Sequence, residues 1–445
     1  RRRTWREVAS GRARIVAGAR SSIFLPFTHL RGIVVDEEHD PTYKQDENLT
    51  YNARDLAVAR AKLQGAACIL ASATPSLESL VNAEAGRYVH VVLPSRAGGA
   101  VLPDIELLDL RVSPPEKGEW LSPPLHKAVA ETLARGEQAM LYLNRRGFAP
   151  LVLCKACGHK MKSPEADRWL VEHRYTGRLV CHVTGFSMPK PKHCPECGEA
   201  DSLIGVGPGV ERVAEEARQR FPEARVEVFS SDTAQTGDDV RSIVQRMEQG
   251  EIDILVGTQI AAKGHNFPHL TLVGVVDADL GLAGGDLRAG ERTYQTLVQA
   301  AGRAGRADRP GRAILQTWNP EHEALQALAN GDRDAFLAAE RSMREILGLP
   351  PFGRLAALIV SGPDSAQLDD ACLAIARAAP VSEGVQVFGP AEAPLGVVRG
   401  RWRRRFLVQA PRNVDVSAYM RAWMGRIKPP SAVRVVLDIE PYSFL

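Results

Sequence analysis

Six times along the chain, a short apolar run stops abruptly at a cluster of charged, hydroxyl or amide side chains. Residues 33–35 run into Asp36-Glu37-Glu38-His39, 67–71 into Ser72-Ala73-Thr74-Pro75-Ser76, and 138–143 into Asn144-Arg145-Arg146-Gly147. Residues 226–229, 252–256 and 272–276 end in the same way at Ser230-Ser231-Asp232, Gly257-Thr258-Gln259 and Asp277-Ala278-Asp279. A strand buried on both faces reads as one continuous apolar run, and here helical patterns such as 55–63 and 125–134 lie between the runs. Strands alternating with helices imply an α/β chain with parallel sheets, whose ligands sit beyond the carboxyl ends of the strands. A further strand is expected at 14–17, with its end turn at Gly18-Ala19-Arg20-Ser21-Ser22.

The polar tips carry the chemistry. Of the adjacent carboxylates Asp36 and Glu37, the first suits Mg²⁺ and the second suits orienting a water for attack on a phosphate. An acidic first turn of a helix would read alike. The Ser72-Ala73-Thr74-Pro75 turn fits a link between nucleotide state and a neighbouring lobe, and equally an N-cap with proline at the first helical position. The segment 299–306 is expected to close a helix with Arg303 and Arg306 on one side, separated by small residues that let a ligand approach closely. Two such guanidiniums suit a γ-phosphate, although a basic helix end is also favoured by the helix dipole.

At 445 residues the chain has room for about three domains. No apolar run reaches the roughly 18 residues of a membrane span. The net charge of +3 places any affinity for nucleic acid in local patches rather than in a global field. Of seven cysteines, five fall between Cys154 and Cys197. Cys154-Lys155-Ala156-Cys157 and Cys194-Pro195-Glu196-Cys197 are paired Cys-x-x-Cys knuckles, each followed by glycine. They predict one tetrahedral Zn²⁺ site rather than disulfides, and a reducing cytoplasm. Near the other end, Arg399-Gly400-Arg401-Trp402-Arg403-Arg404-Arg405-Phe406 sets five arginines among two aromatics, which fits phosphate neutralisation and base stacking on a single strand. A solvated basic hairpin has the same composition.

With these residues in place the chain resembles the primosomal protein N′ (PriA) family of superfamily 2 helicases. The resemblance rests on Asp36-Glu37-Glu38-His39, Tyr43-Lys44-Gln45, Ser72-Ala73-Thr74-Pro75 and Leu143-Asn144-Arg145-Arg146-Gly147. It extends to 207–213, Gly257-Thr258-Gln259, Ala262-Lys263-Gly264-His265, the segment 299–306 and the final 441–445. It implies two RecA-like motor lobes, the first one partial (1–110), and the second at 111–150 and 203–346. A zinc-binding insertion at 151–202 and a small α/β DNA-binding domain at 347–445 complete the expectation.

The family implies an ATP-driven, Mg²⁺-dependent translocase moving 3′ to 5′ on single-stranded and forked DNA. It works with single-strand-binding protein, other primosome proteins and the machinery that reloads the replicative helicase, and a monomer is expected. Nucleotide contacts are implied for Asp36, Glu37, Gly264, Gln299, Arg303 and Arg306. DNA contacts are implied for Arg20, Tyr43, Lys44, Arg145, Arg146, Thr258 and Lys263, joined by Arg401, Trp402, Arg403, Arg404 and Arg405.

Two departures stand out. The phosphate-cradling Gly-x-x-x-x-Gly-Lys-Ser/Thr loop is absent from the 445 residues, and the first residue is Arg1 rather than Met, so a fragment without ATPase activity of its own is expected. The family's inner pair of zinc knuckles stands here as Ser163, Ala166, Cys181 and Thr184, which leaves ligands for one zinc only. Other readings are a non-catalytic zinc-containing module that binds nucleic acid, and a different superfamily 2 translocase.

Overall fold

The structure, a computed structural model, describes residues 2–45, 50–93, 103–144, 151–164, 170–173, 178–181, 186–206, 210–230, 233–234, 236–262, 267–282, 287–305, 310–398 and 400–442.

The largest unit is a six-stranded parallel sheet. Its spatial order is Val226–Phe229, Ile254–Gly257, Gln138–Leu143, Leu270–Asp277, Arg312–Thr317 and Asp104–Asp109. Alternate side chains of a strand point to opposite faces, and both faces here meet helices. Met140, Tyr142, Leu255, Val273 and Val275 face one core with Phe229 and Leu297. Ala139, Leu141, Leu143, Ile254, Val256 and Leu272 face the other with Leu125, Val213 and Ile314. All six residues of Gln138–Leu143 are buried, which is why that run carries no polar alternation. The expected lobe boundary at 110/111 moves: Asp104–Asp109 pairs in register with Arg312–Thr317 and belongs to this second lobe.

The first lobe is described by a two-stranded parallel sheet, Gly32–Val35 with Ala67–Leu70, against the helix Ala53–Gln64. Val34 and Ile69 are 67% and 56% exposed there. Residues 14–17, expected as a strand, have no regular structure, because neither described strand pairs with them. The helix after Ser72-Ala73-Thr74-Pro75 starts two residues later than expected, at Leu77, capped by the Ser76 hydroxyl.

The insertion is a five-stranded antiparallel sheet in the order Ser187–Pro189, Arg178–Val180, Val171–His173, Leu151–Cys154, Leu203–Val206. The C-terminal unit is a four-stranded antiparallel sheet in the order Gln386–Val398, Arg401–Pro411, Gly353–Gly362, Arg434–Ile439. Helices Ser365–Arg377 and Val416–Met424 cover one face, Trp423 of the second helix packing with Leu358, Val360, Phe406 and Val408 of the sheet. On the other, Leu355 and Leu407 pack with Leu287 and Leu349 against the second lobe.

Candidate functional site

At the carboxyl end of Gly32–Val35, Glu37 adopts a left-handed backbone (φ +48°) that turns the chain sharply after Asp36. The Asp36 side chain is exposed; its Oδ1 accepts from Glu37 N at 3.0 Å, while its backbone carbonyl accepts from the Tyr43 hydroxyl at 2.6 Å. Glu37 Oε2 is buried without a hydrogen bond, 3.4 Å from His39 Nδ1. The pair therefore presents one exposed carboxylate beside one with a buried, unsatisfied oxygen, a donor set that fits Mg²⁺ and a positioned water.

The next two residues tie this tip to the rest of the cleft. Glu38 is buried and accepts from Ser76 N (2.6 Å), Ser76 Oγ (3.0 Å), Ser79 Oγ (3.0 Å) and Arg54 Nη1 (3.2 Å). His39 spans the two lobes: Nδ1 lies 2.7 Å from Ser72 Oγ and Nε2 lies 3.2 Å from the Gln299 amide nitrogen. Burial holds the His39 pKa below its ordinary value. A neutral imidazole accepting from the Gln299 amide at Nε2 then donates Nδ1–H to Ser72. The serine hydroxyl in turn accepts from Thr74 N at 2.9 Å.

Gln299 lies in the last turns of the helix Ala289–Ala301, which ends before the arginines rather than at them. Arg303 sits in the following turn, its Nε donating to Ala262 O at 2.8 Å. Thr258 closes the strand Ile254–Gly257, with its amide toward Phe229 O at 3.3 Å. Lys263, Gly264, Arg306, Arg145 and Arg146 lie outside the described residues.

Several expected DNA contacts have structural partners instead. Lys44 is 6% exposed, ion-paired with Asp438 at 2.8 Å and bonded to Ile439 O (2.7 Å) and Glu440 O (3.1 Å), so its ammonium is spent inside the protein. Arg20 donates to Lys44 O at 2.6 Å and shapes that same segment. The basic run does open a tight hairpin, with Val398 paired to Arg401, but it is not solvated: Arg401–Pro411 is an inner strand of the C-terminal sheet and none of Arg401, Arg403, Arg404 and Arg405 is exposed. Arg404 is buried against Asp369 (2.7 Å), Arg405 is buried, and Trp402 packs on the apolar core. Arg401 donates to Ser361 O and Ala432 O, while Arg403 is half-buried with no ion pair among the described residues. Alternation along the strand sends Arg404 toward the helices and Arg403 to the opposite face.

The four knuckle sulfurs converge as expected. Cys154 Sγ and Cys197 Sγ are 3.6 Å apart, Cys157 Sγ and Cys194 Sγ 3.8 Å, and all four lie within 4.8 Å of one another. A tetrahedron of Zn–S bonds of about 2.3 Å has edges of about 3.8 Å, so the set fits Zn²⁺ without rearrangement. The knuckles are built alike. Gly158 N returns to Cys154 O and Gly198 N to Cys194 O, with φ of +73° and +75°, a conformation that explains the glycine after each pair. Ser163, Leu170, Val180 and Cys181 are buried; Ala166, Trp169 and Thr184 lie outside the described residues.

Sequence reasoning missed a buried charge cluster between the lobes. Arg344 pairs with Glu291 and Glu340, each at 2.6 Å; Arg288 pairs with Glu78 at 2.7 Å; Glu291 accepts from Leu77 N at 2.9 Å. Burial works against ionisation of Glu78, but Arg288, Arg344 and Arg54 outweigh it and hold its pKa down to about 2. It missed likewise the buried pair of Lys160, in the zinc module, with Asp279 of the second lobe (3.1 Å). Apart from Glu340 and Arg344, four residues apart on one helix, these partners lie far apart in the chain and nothing local marks them.

Comparison with known proteins places these features. The family model described as "Primosomal protein N C-terminal domain" matches residues 345–442, and "Helicase conserved C-terminal domain" matches 200–308. The replication restart protein PriA of Rickettsia felis is 42% identical over 439 residues, covering 99% of this chain and 68% of that protein. The PriA of Bacillus subtilis is 35% identical over 447 residues, covering 99% of this chain and 55% of that protein. RecG bound to a three-way DNA junction aligns only loosely, at 16% identity over 77% of this chain and 34% of that one, with a TM-score of 0.38.

Proposed function

From a chain that belongs to the PriA family of replication restart helicases, we propose the nucleotide-coupled part of an ATP-driven DNA motor, with its hydrolytic centre at Asp36-Glu37. The reading rests on one observation above all. The strand tip that carries the two carboxylates is joined to the second lobe through His39 and Gln299.

Asp36 would hold the Mg²⁺ of a bound nucleotide, and Glu37 would orient the attacking water and take its proton. Bound Mg²⁺–ATP supplies the transferable γ-phosphoryl group. Gln299, hydrogen-bonded to His39, carries any displacement of that tip into the helix Ala289–Ala301, while Arg303 and Arg306 offset charge at the phosphate. Ser72-Ala73-Thr74 receives the same displacement at the His39 Nδ1 end. Gly264 is assigned to the nucleotide as well.

The substrate is single-stranded and forked DNA, tracked 3′ to 5′. Tyr43, Arg145, Arg146, Thr258, Lys263 and the half-buried Arg403 are assigned to the strand, and Arg20, Lys44, Arg404 and Arg405 to the scaffold. Single-strand-binding protein, other primosome proteins and the replicative-helicase loader are its partners, and Zn²⁺ is held at the single four-cysteine site. No helix of the described residues is long and apolar enough to cross a membrane.

The decisive test is Glu37→Gln in the longest natural form of the protein. Nucleotide binding persists while DNA-stimulated ATP hydrolysis falls by about 100-fold or more, the loss expected on removing a general base. Undiminished turnover would place the centre elsewhere.

A further inference from the structure

The last described turn of the chain, 438–442, touches three units at once. Glu440, left-handed at φ +51°, donates its amide to Leu355 O at 2.9 Å and so stays fastened to the C-terminal sheet. Toward the first lobe, Lys44 reaches the Asp438 carboxylate and the carbonyls of Ile439 and Glu440. Toward the second, Arg288 Nη1 donates to Pro441 O at 2.9 Å, and Arg292 Nη2 donates to Tyr442 O.

The Tyr442 ring lies among three guanidiniums. Arg288 is 4.6 Å from its centroid, and Arg54 and Arg292 are each 5.9 Å away. Arg54 belongs to the first lobe and the other two to the second. Like charges this close repel, and an aromatic ring offers each of them the negative face of its quadrupole. Arg54 also holds Glu38, the residue next to the Asp36-Glu37 tip, and Arg288 holds Glu78 on the first lobe.

We propose that the turn at 438–442 is a strap that fixes the two motor lobes against each other, with the Tyr442 ring as its lock. The inference is independent of any nucleotide chemistry. It concerns the rest position of the cleft and makes Tyr442 a positioning residue. Separating the first lobe from the strap requires both withdrawing Arg54 from the ring and stripping Lys44 of its three acceptors, in addition to breaking the direct contacts Arg288–Glu78 and Leu77–Glu291.

Amide hydrogen exchange on the 445-residue chain reads this directly. Leu77 N donates across the junction to Glu291, so it exchanges when the junction opens. Tyr442→Leu, which keeps an apolar side chain but removes the aromatic quadrupole, raises its exchange rate by about tenfold, a loss within the range of a desolvated cation–π contact. Tyr442→Phe, which keeps the quadrupole, leaves the rate unchanged. Leu358, in the C-terminal sheet, and Leu141, in the second lobe, keep wild-type protection in both variants. Wild-type exchange at Leu77 in Tyr442→Leu overturns the proposal. So does equal loss of protection at Leu358, because Tyr442 would then serve only its own domain. Lys44→Met tests the other anchor and predicts the same selective pattern at Leu77.

Discussion

The second lobe and the zinc insertion are both sheets, yet they hold together by different means. In the lobe, six parallel strands are apolar on both faces, and each fully buried leucine or valine contributes about 1.5–3 kcal/mol. In the insertion, strands of three or four residues enclose a small core around Val152, Met161, Leu170, Leu179 and Leu203, with buried Cys154, Cys181 and Cys194 among them. A core of that size cannot offset the ordering of its loops, and a metal held by the four cysteines would supply the remainder. The lobe should fold wherever its apolar surface is buried; the insertion should fold where zinc is.

The sharpest way to break this contrast is to remove the metal. Structural zinc contributes apparent free energies of about 10–16 kcal/mol in small zinc-dependent peptides, far more than any single contact here. Chelation, or Cys154→Ser with Cys194→Ser, should abolish protection across 151–206 while the strand Gln138–Leu143 keeps its own. Elemental analysis should return one zinc per wild-type chain and none in the double variant. Two zincs per chain, or zinc retained without both cysteines, contradicts the assignment.

A smaller effect tests how the two regions are joined. Gly158 turns the first knuckle against Trp318 of the lobe, where an added Cβ would stand 3.2 Å from the ring; around Gly198 nothing lies within 4 Å. Beside that contact, Lys160 inserts its ammonium beside Asp279, which also accepts from Thr317 Oγ1 and Trp318 N. Lys160→Met strands a buried carboxylate and should destabilise the lobe by about 3–5 kcal/mol in chemical denaturation. Adding Asp279→Asn should recover most of the loss, since the charge left unpaired is then gone. Additive losses in the double variant would show that the two residues do not act as a pair.

This contrast also explains what could be read in advance. Burial on both faces writes itself into sequence as a nearly unbroken apolar run, so Gln138–Leu143 was legible to the residue, and the alternation of Val226–Phe229 marked that edge strand equally well. Ligand spacing is equally local, and the knuckles needed no fold to be recognised. Residues 14–17 have the composition of a strand, but a strand is defined by its neighbour, and none is described beside them. Arg404 and Arg405 look like a solvated basic patch, because composition does not reveal that Asp369 waits on a helix across the sheet. Lys44 and Asp438 are the extreme case. Their charges are obvious and their pairing is not, since it exists only once two domains have docked.

The smallest expected effect concerns the strand end where the two regions meet. Asp277 is buried at the tip of Leu270–Asp277, and its Oδ1 accepts from Asp279 N at 2.9 Å and Leu280 N at 3.1 Å. Burial, and then the neighbouring Asp279 charge, push its pKa up to about 7, against the pull of Lys160. An unfolded aspartate titrates near 3.9, so the folded protein holds this proton more tightly. The resulting stabilisation is complete below about pH 4 and is lost as pH rises through 7. Between pH 6 and pH 8 the wild-type chain should therefore lose about 1 kcal/mol from this group alone. Asp277→Asn keeps an acceptor oxygen for the two amides but has no proton to lose. Its stability should vary less over the same interval, so that the variant gains on wild type as pH rises. Denaturation curves at the two pH values decide the matter: if wild type and variant shift in parallel, Asp277 is already ionised in the folded protein and the proton lies elsewhere.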